Sequence, residues 1–87
     1  MSVVGPIDCE KGHSITWGVG NGILGRLCEY DRSGNHLDYW NPTINPRTTT
    51  LSNNASSIKV SFSTDALNYA YIYDNTNNEY LWKGVSV

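Results

Sequence analysis

The sequence predicts an all-β fold, a compact antiparallel sandwich or barrel of roughly six to seven short strands, on three observations. The turn formers Gly, Asn, Ser and Thr recur about every 8–12 residues, the spacing of short strands joined by tight turns. No stretch long enough for a helix shows apolar residues at helical period with caps at its ends. Residues 68–87 read as a hairpin: a strand Asn68–Tyr73, a turn Asp74–Asn78 and a second strand Glu79–Val85. The 87 residues form one small domain, residues 1–87. A chain of this size buries only about 60–65% of the surface that it exposes unfolded.

The segment His13–Val19 alternates, which places Ile15, Trp17 and Val19 on one face of a strand. Gly20-Asn21-Gly22 then turns the chain, because glycine on either side of asparagine favours tight, left-handed backbone over strand. Ile23–Tyr30 is the next strand, followed by the turn Asp31–Asn35, and His36–Trp40 is a short third strand. Asn41–Pro46 is irregular, since each proline lacks a donor and restricts the residue before it. Thr48–Leu51 is expected at a sheet edge. Ser57–Ser63 alternates with Ile58, Val60 and Phe62 inward, and Thr64–Leu67 is a helical turn or tight connection before the final hairpin. An aromatic strand, an Asn/Asp/Gly turn and a second aromatic strand occur both at Leu27–Trp40 and at Tyr69–Trp82, a likeness too weak in sequence to define a repeat.

Charge and length exclude several functions. The net charge is −2, from six basic and eight acidic residues scattered singly, so no basic stripe exists to neutralise phosphates. Nucleic acid is therefore not an expected partner, and no apolar run approaches the roughly 18 residues of a membrane span. The N-terminal residues lack a charged region followed by a long apolar one, so a cytoplasmic location is expected, or secretion if the chain is a processed form. Cys9 and Cys28 are too few for a thiolate zinc site, and His13 and His36 stand at no recognised metal spacing. A disulfide Cys9–Cys28 is expected, worth ~3 kcal/mol for a loop of about twenty residues; two free thiols in a reducing cell are the other reading. Asp31, Ser33, Asn35 and Asp38 offer oxygens at calcium-like spacing but without the further acidic ligands that a calcium loop carries, so no metal and no cofactor are expected.

Composition points to a ligand class. Of ten aromatic residues six are Tyr and three Trp, leaving Phe62 alone without a polar tip. A core does not need that bias, whereas a surface that presents an apolar ring face beside a hydrogen-bonding group does. Pyranose rings offer a patch of C–H for such a face and a rim of hydroxyls for amides and carboxylates. Two constellations fit. On the third strand His36, Asp38 and Trp40 share one parity, with Leu37 and Tyr39 opposite, so an indole, a carboxylate and, with Asn41, a donor face one side. At the hairpin tip Asn75 and Asn77 supply amides, and Tyr80 and Trp82 share a face. Catalysis is not expected: Asp38, Asp74 and Glu79 could form a glycosidase pair only in a deep cleft, and neither histidine has a Ser or Cys partner in a recognised motif.

A small acidic β-domain rich in Tyr, Trp, Asn and Gly resembles, in overall character along the whole chain, the small homodimeric galactoside-binding lectins of mushroom fruiting bodies. The resemblance implies a cytoplasmic, non-catalytic fungal defence lectin that recognises glycans ending in galactose. The axial 4-hydroxyl of galactose leaves a continuous C–H face for an indole such as Trp40 or Trp82. The competing readings are a secreted, disulfide-stapled defence protein of killer-toxin or inhibitor type, acting on a protein or membrane target, and a small glycan-processing enzyme.

Overall fold

The computed structural model describes all 87 residues. Eight strands form: β1 (Ser2–Asp8), β2 (Ser14–Val19), β3 (Leu24–Tyr30), β4 (His36–Trp40), β5 (Arg47–Thr50), β6 (Ser57–Phe62), β7 (Ala70–Asp74) and β8 (Glu79–Lys83), with a 3-10 helix (Thr64–Tyr69) between β6 and β7. They make two antiparallel sheets, ordered β1-β6-β3-β4 and β5-β2-β7-β8. The expected all-β class is thus the fold. The alternating residues of β2 and β6 meet between the sheets: Ile15, Trp17, Ile58, Val60 and Phe62 are fully buried. The Trp17 indole N–H, which burial would otherwise leave unpaired, donates to the Gly25 carbonyl at 3.0 Å.

β1 is the strand that the sequence did not announce. Gly5-Pro6 in its middle argues against a strand, but β1 is an edge of its sheet, where a missing N–H breaks no ladder on the open side. Its register against β6 shifts between Val4 and Ile7, and Gly5 adopts φ 121° there. A Cβ on Gly5 would lie 2.6 Å from the Ile58 carbonyl oxygen, so the two backbones approach as only glycine allows.

The expected disulfide is absent: Cys9 and Cys28 are free thiols. Asp8 and Tyr30 both pair with Ser57, from opposite sides of β6. Two strand spacings, roughly 9–10 Å, therefore separate β1 from β3, whereas a disulfide needs Cα atoms about 4.4–6.8 Å apart. Cys9 also packs toward the core.

The two sheets are related by a simple rule. Advancing every strand by four positions, and returning to β1 after β8, turns β1-β6-β3-β4 into β5-β2-β7-β8. The rule holds at residue level. Glu29 faces Ile58 as Asp74 faces Ile15, Leu27 faces Val60 as Ile72 faces Trp17, and Leu27 faces Trp40 as Ile72 faces Trp82. The faint likeness between Leu27–Trp40 and Tyr69–Trp82 is the visible part of this duplication. Each half lends its second strand to the sheet of the other.

Candidate functional site

The β4 constellation does not form as strict alternation predicts. Asp38 faces Glu29 and His36 faces Tyr30, so Leu37 is an extra residue on β4, a bulge that breaks the parity. Leu37 and Trp40 turn toward the core. The Trp40 indole N–H donates to Glu29 Oε2 at 2.5 Å, and Glu29, fully buried, also accepts from the Ser52 backbone N–H at 2.8 Å. Trp40 is therefore a packing residue with a buried partner, not the outer stacking face expected of it. His36 instead stacks on Tyr39, with centroids 6.2 Å apart, and meets the edge of Tyr30 at 5.6 Å. Asp38 accepts from the Tyr39 backbone N–H, and Asn41 Oδ1 accepts from Arg26 Nε at 2.9 Å.

The second constellation is also divided. Trp82 faces inward and stacks on Phe62 of the opposite sheet at 5.8 Å. Asn77 lies beside a hollow of about 140 Å³ with Asp8, Glu10 and Glu79. Asn75 and Tyr80 remain together on the outer face of the β5-β2-β7-β8 sheet. Thr48, Thr16, Tyr73 and Tyr80 form one row across its four strands. The Asn75 amide donates to Thr16 Oγ1 at 2.8 Å, and the Thr16 and Thr48 hydroxyls are 2.6 Å apart. Tyr80 meets Tyr73 edge-on at 4.9 Å and Tyr71 at 6.3 Å, with the Lys83 ammonium 5.2 Å from its ring centre. Tyr71 covers Gly18: a Cβ there would sit 2.7 Å from the Tyr71 hydroxyl and 2.9 Å from Pro46. Burial pushes the Tyr71 hydroxyl pKa up, helped by Tyr80, so it remains a neutral donor and acceptor. Tyr71 and Tyr73 were missed as site residues, although their spacing of two already places them on one strand face.

The other sheet presents a different outer face. Arg26 lies over Tyr39 at 4.2 Å and Lys59 over Tyr30 at 5.0 Å. With Lys83 that makes three cation–π contacts, where a chain of this length has on average about one. Half of the six basic residues are thus held against tyrosine rings.

One polar cluster has the outline of catalytic machinery. His13 Nδ1 is 2.8 Å from Asp74 Oδ2, and its Nε2 is 3.2 Å from Glu10 Oε2. The hydrogen bond to Asp74 raises the His13 pKa against the opposing effect of desolvation, with the charges of Asp74, Glu10 and Glu79 adding to it. Burial works to raise the Asp74 pKa, but the Asn77 N–H, His13 and the Thr76 N–H together outweigh it and leave it lowered. Cys9, next to this cluster, is pushed up to about 12, first by burial and then by Glu29, Asp8 and Asp74. A thiol so placed is not a nucleophile near neutral pH, and both histidine nitrogens face carboxylates. What the cluster does is tie the start of β2 to the end of β7. Asp74 also accepts from the Thr76 and Asn77 backbone N–H groups, closing the β7–β8 turn much as Asp31 closes the β3–β4 turn through Ser33 and Asn35.

No protein-family model matches this sequence, no curated protein matches it, and no solved structure matches its fold. No helix is long and apolar enough to cross a membrane.

Proposed function

We propose that this protein is a non-catalytic glycan-binding module, a lectin for galactose-type glycans, whose contact surface is the outer face of the β5-β2-β7-β8 sheet. One observation carries the reading: Tyr71, Tyr73 and Tyr80 stand beside hydroxyls and an amide already held in position, those of Thr16, Thr48 and Asn75. Aromatic surface next to oriented donors and acceptors is what a sugar ring requires, and ordering these groups in advance lowers the entropy cost of binding. The face is shallow, so affinity for a monosaccharide is weak, roughly 0.1–1 mM. Useful avidity then calls for more than one copy, and we take the active form to be a homodimer. The likeness to small fungal lectins extends the reading to a role in defence. The disulfide-stapled alternative loses its staple, since Cys9 and Cys28 are free.

A glycan array followed by calorimetry tests this. The wild-type protein binds galactose-terminated glycans, and Tyr80→Ala, at a residue 47% exposed, weakens binding about tenfold without loss of fold. Absence of binding to every glycan on the array refutes the proposal.

A further inference from the structure

The largest hollow of the molecule, about 370 Å³, lies outside the face just described, between the β2–β3 connection (residues 20–23) and the β6–β7 connection (residues 63–69). The four-strand shift that relates the two sheets also exchanges these two connections. The hollow therefore sits where the duplicated halves meet, and Asp65, Ala66 and Tyr69 of its lining come from the 3-10 helix that the second connection carries and the first lacks. Its size falls within the range of about 300–1,000 Å³ found for small-molecule sites.

Its walls are fixed before any ligand arrives. Gly20 N–H donates to the Tyr69 carbonyl at 3.1 Å, Ser63 N–H to the Ile23 carbonyl at 2.9 Å, and Ile23 N–H to Ser63 Oγ at 3.0 Å. Ser63 thus accepts from the protein and keeps its own O–H to donate. Tyr69 contributes a ring 52% exposed, Ile23 an apolar side chain 66% exposed, Asn21 an amide and Asp65 a carboxylate. Asp65 is the one charged residue of the lining. An aromatic face, an apolar edge, an amide, a hydroxyl and a carboxylate around one hollow suit a polyhydroxylated ring. A fixed negative charge disfavours an acidic one.

Tyr69 lines the hollow and stands two residues from Tyr71 of the tyrosine face. Tyr71 and Tyr73 flank the fully buried Ile72 on β7 and so belong to its outer side. Tyr69, the last residue of the 3-10 helix, lies over Gly20, where a Cβ would be 3.4 Å from the Tyr69 Cβ. At about 3.3 Å per residue Tyr71 and Tyr73 stand roughly 7 Å apart along β7. Gly18 of β2 lies under Tyr71 and Pro46, and Gly20, just past β2, bonds to Tyr69, so neither glycine adds a side chain of its own beside the tyrosines.

We infer that this cleft is the end pocket of the glycan site: it takes the neutral terminal hexose of an oligosaccharide whose following units lie along Tyr71 and Tyr73. The inference rests on the glycan-binding reading and adds to it the direction, the minimum length and the charge of the ligand. A trisaccharide or longer chain binds more tightly than the monosaccharide, and an acidic sugar at the terminus abolishes the gain.

The experiment uses lactose, the galactose-terminated tetrasaccharide lacto-N-neotetraose and its sialylated counterpart, followed by amide NMR and calorimetry on the full chain. With the neutral tetrasaccharide the expected result is chemical-shift change at Asn21–Ile23 and Ser63–Tyr69 as well as on the tyrosine face. It binds at least about tenfold more tightly than the sialylated form. Tyr69→Ala, Asp65→Ala and the conservative Asp65→Asn stay folded by their spectra, and Tyr69→Ala and Asp65→Ala weaken binding severalfold. If the tetrasaccharide binds but shifts only Thr16, Tyr73, Tyr80 and their neighbours, and the Tyr69 and Asp65 variants bind as wild type, the end pocket is wrong while the lectin reading stands. If none of the three sugars and no glycan on an array binds, both fall together.

Discussion

His13 lies between two carboxylates, Asp74 at 2.8 Å and Glu10 at 3.2 Å, and this gives the fold a defined pH response. The His13 pKa is raised in the folded chain, so its contribution is complete below the unfolded value of about 6.5 and drains away as pH climbs through the folded value. Asp74 runs the other way. Its pKa is lowered on folding, so its contribution holds above about 3.9 and is lost as pH falls through the folded value. Asp31, lowered first by the Asn35 backbone N–H, adds to the acid side. Thermal stability is therefore greatest between about pH 4 and 6.5 and declines toward alkaline pH. In thermal melts His13→Gln flattens the decline between about pH 6.5 and 8.5, below the range where the raised Cys9 and Tyr71 groups add their own, and leaves the acid one in place. A wild-type midpoint that stays level from neutral to alkaline pH would show that the pair contributes nothing to folding.

At the scale of the strand, glycine and the bulges decide what alternation cannot. Gly5→Ala sets a Cβ 2.6 Å from the Ile58 carbonyl at φ 121°, and the β1–β6 ladder has to shift to admit it. Gly34→Ala, at φ 86° with nothing within 4 Å, meets only the backbone preference, about 1–2 kcal/mol. Denaturant unfolding should find Gly5→Ala the more costly by at least about 1 kcal/mol; equal costs would mean that the close approach is relieved at no expense. These two kinds of feature also mark where the sequence was legible. Ile15, Trp17, Ile58, Val60 and Phe62 are core residues as their period of two required, and the edge position of β5 and the turn at Asp31–Asn35 stand where turn chemistry put them. The final hairpin forms too, but its strands are Ala70–Asp74 and Glu79–Lys83, with Asn68 and Tyr69 in the 3-10 helix rather than in the expected strand. β1 was hidden by a proline that an edge tolerates. Trp40 was assigned outward because no local signal reveals that Leu37 is the extra residue, nor that a buried Glu29 waits for an indole N–H. Tyr69, Tyr71 and Tyr73 did stand at the spacing of one face, but whether that face looks at solvent or at the other sheet depends on long-range pairing.

For the molecule as a whole, a small core and the avidity that the proposed glycan site would need both favour self-association. Each sheet leaves two edges, β1 and β4 in one and β5 and β8 in the other, and an unpaired edge is a template for another chain. A homodimer whose symmetric interface uses the tyrosine-bearing strand β8 is the expected state at tens of micromolar. Sedimentation equilibrium should return twice the chain mass of 9.7 kDa; a monomer at that concentration removes the avidity argument. The exchange of β2 and β6 between the two halves has a further consequence. A piece holding β1–β4 has three strands of one sheet and a fourth that belongs elsewhere, and the same is true of β5–β8. Cleaved within residues 41–46, the chain would become two complementary parts of one object, each useless until the other supplies its missing strand. A half-length chain with this pattern could close its sheets only by clasping a twin. The present domain is that clasp written into a single polypeptide.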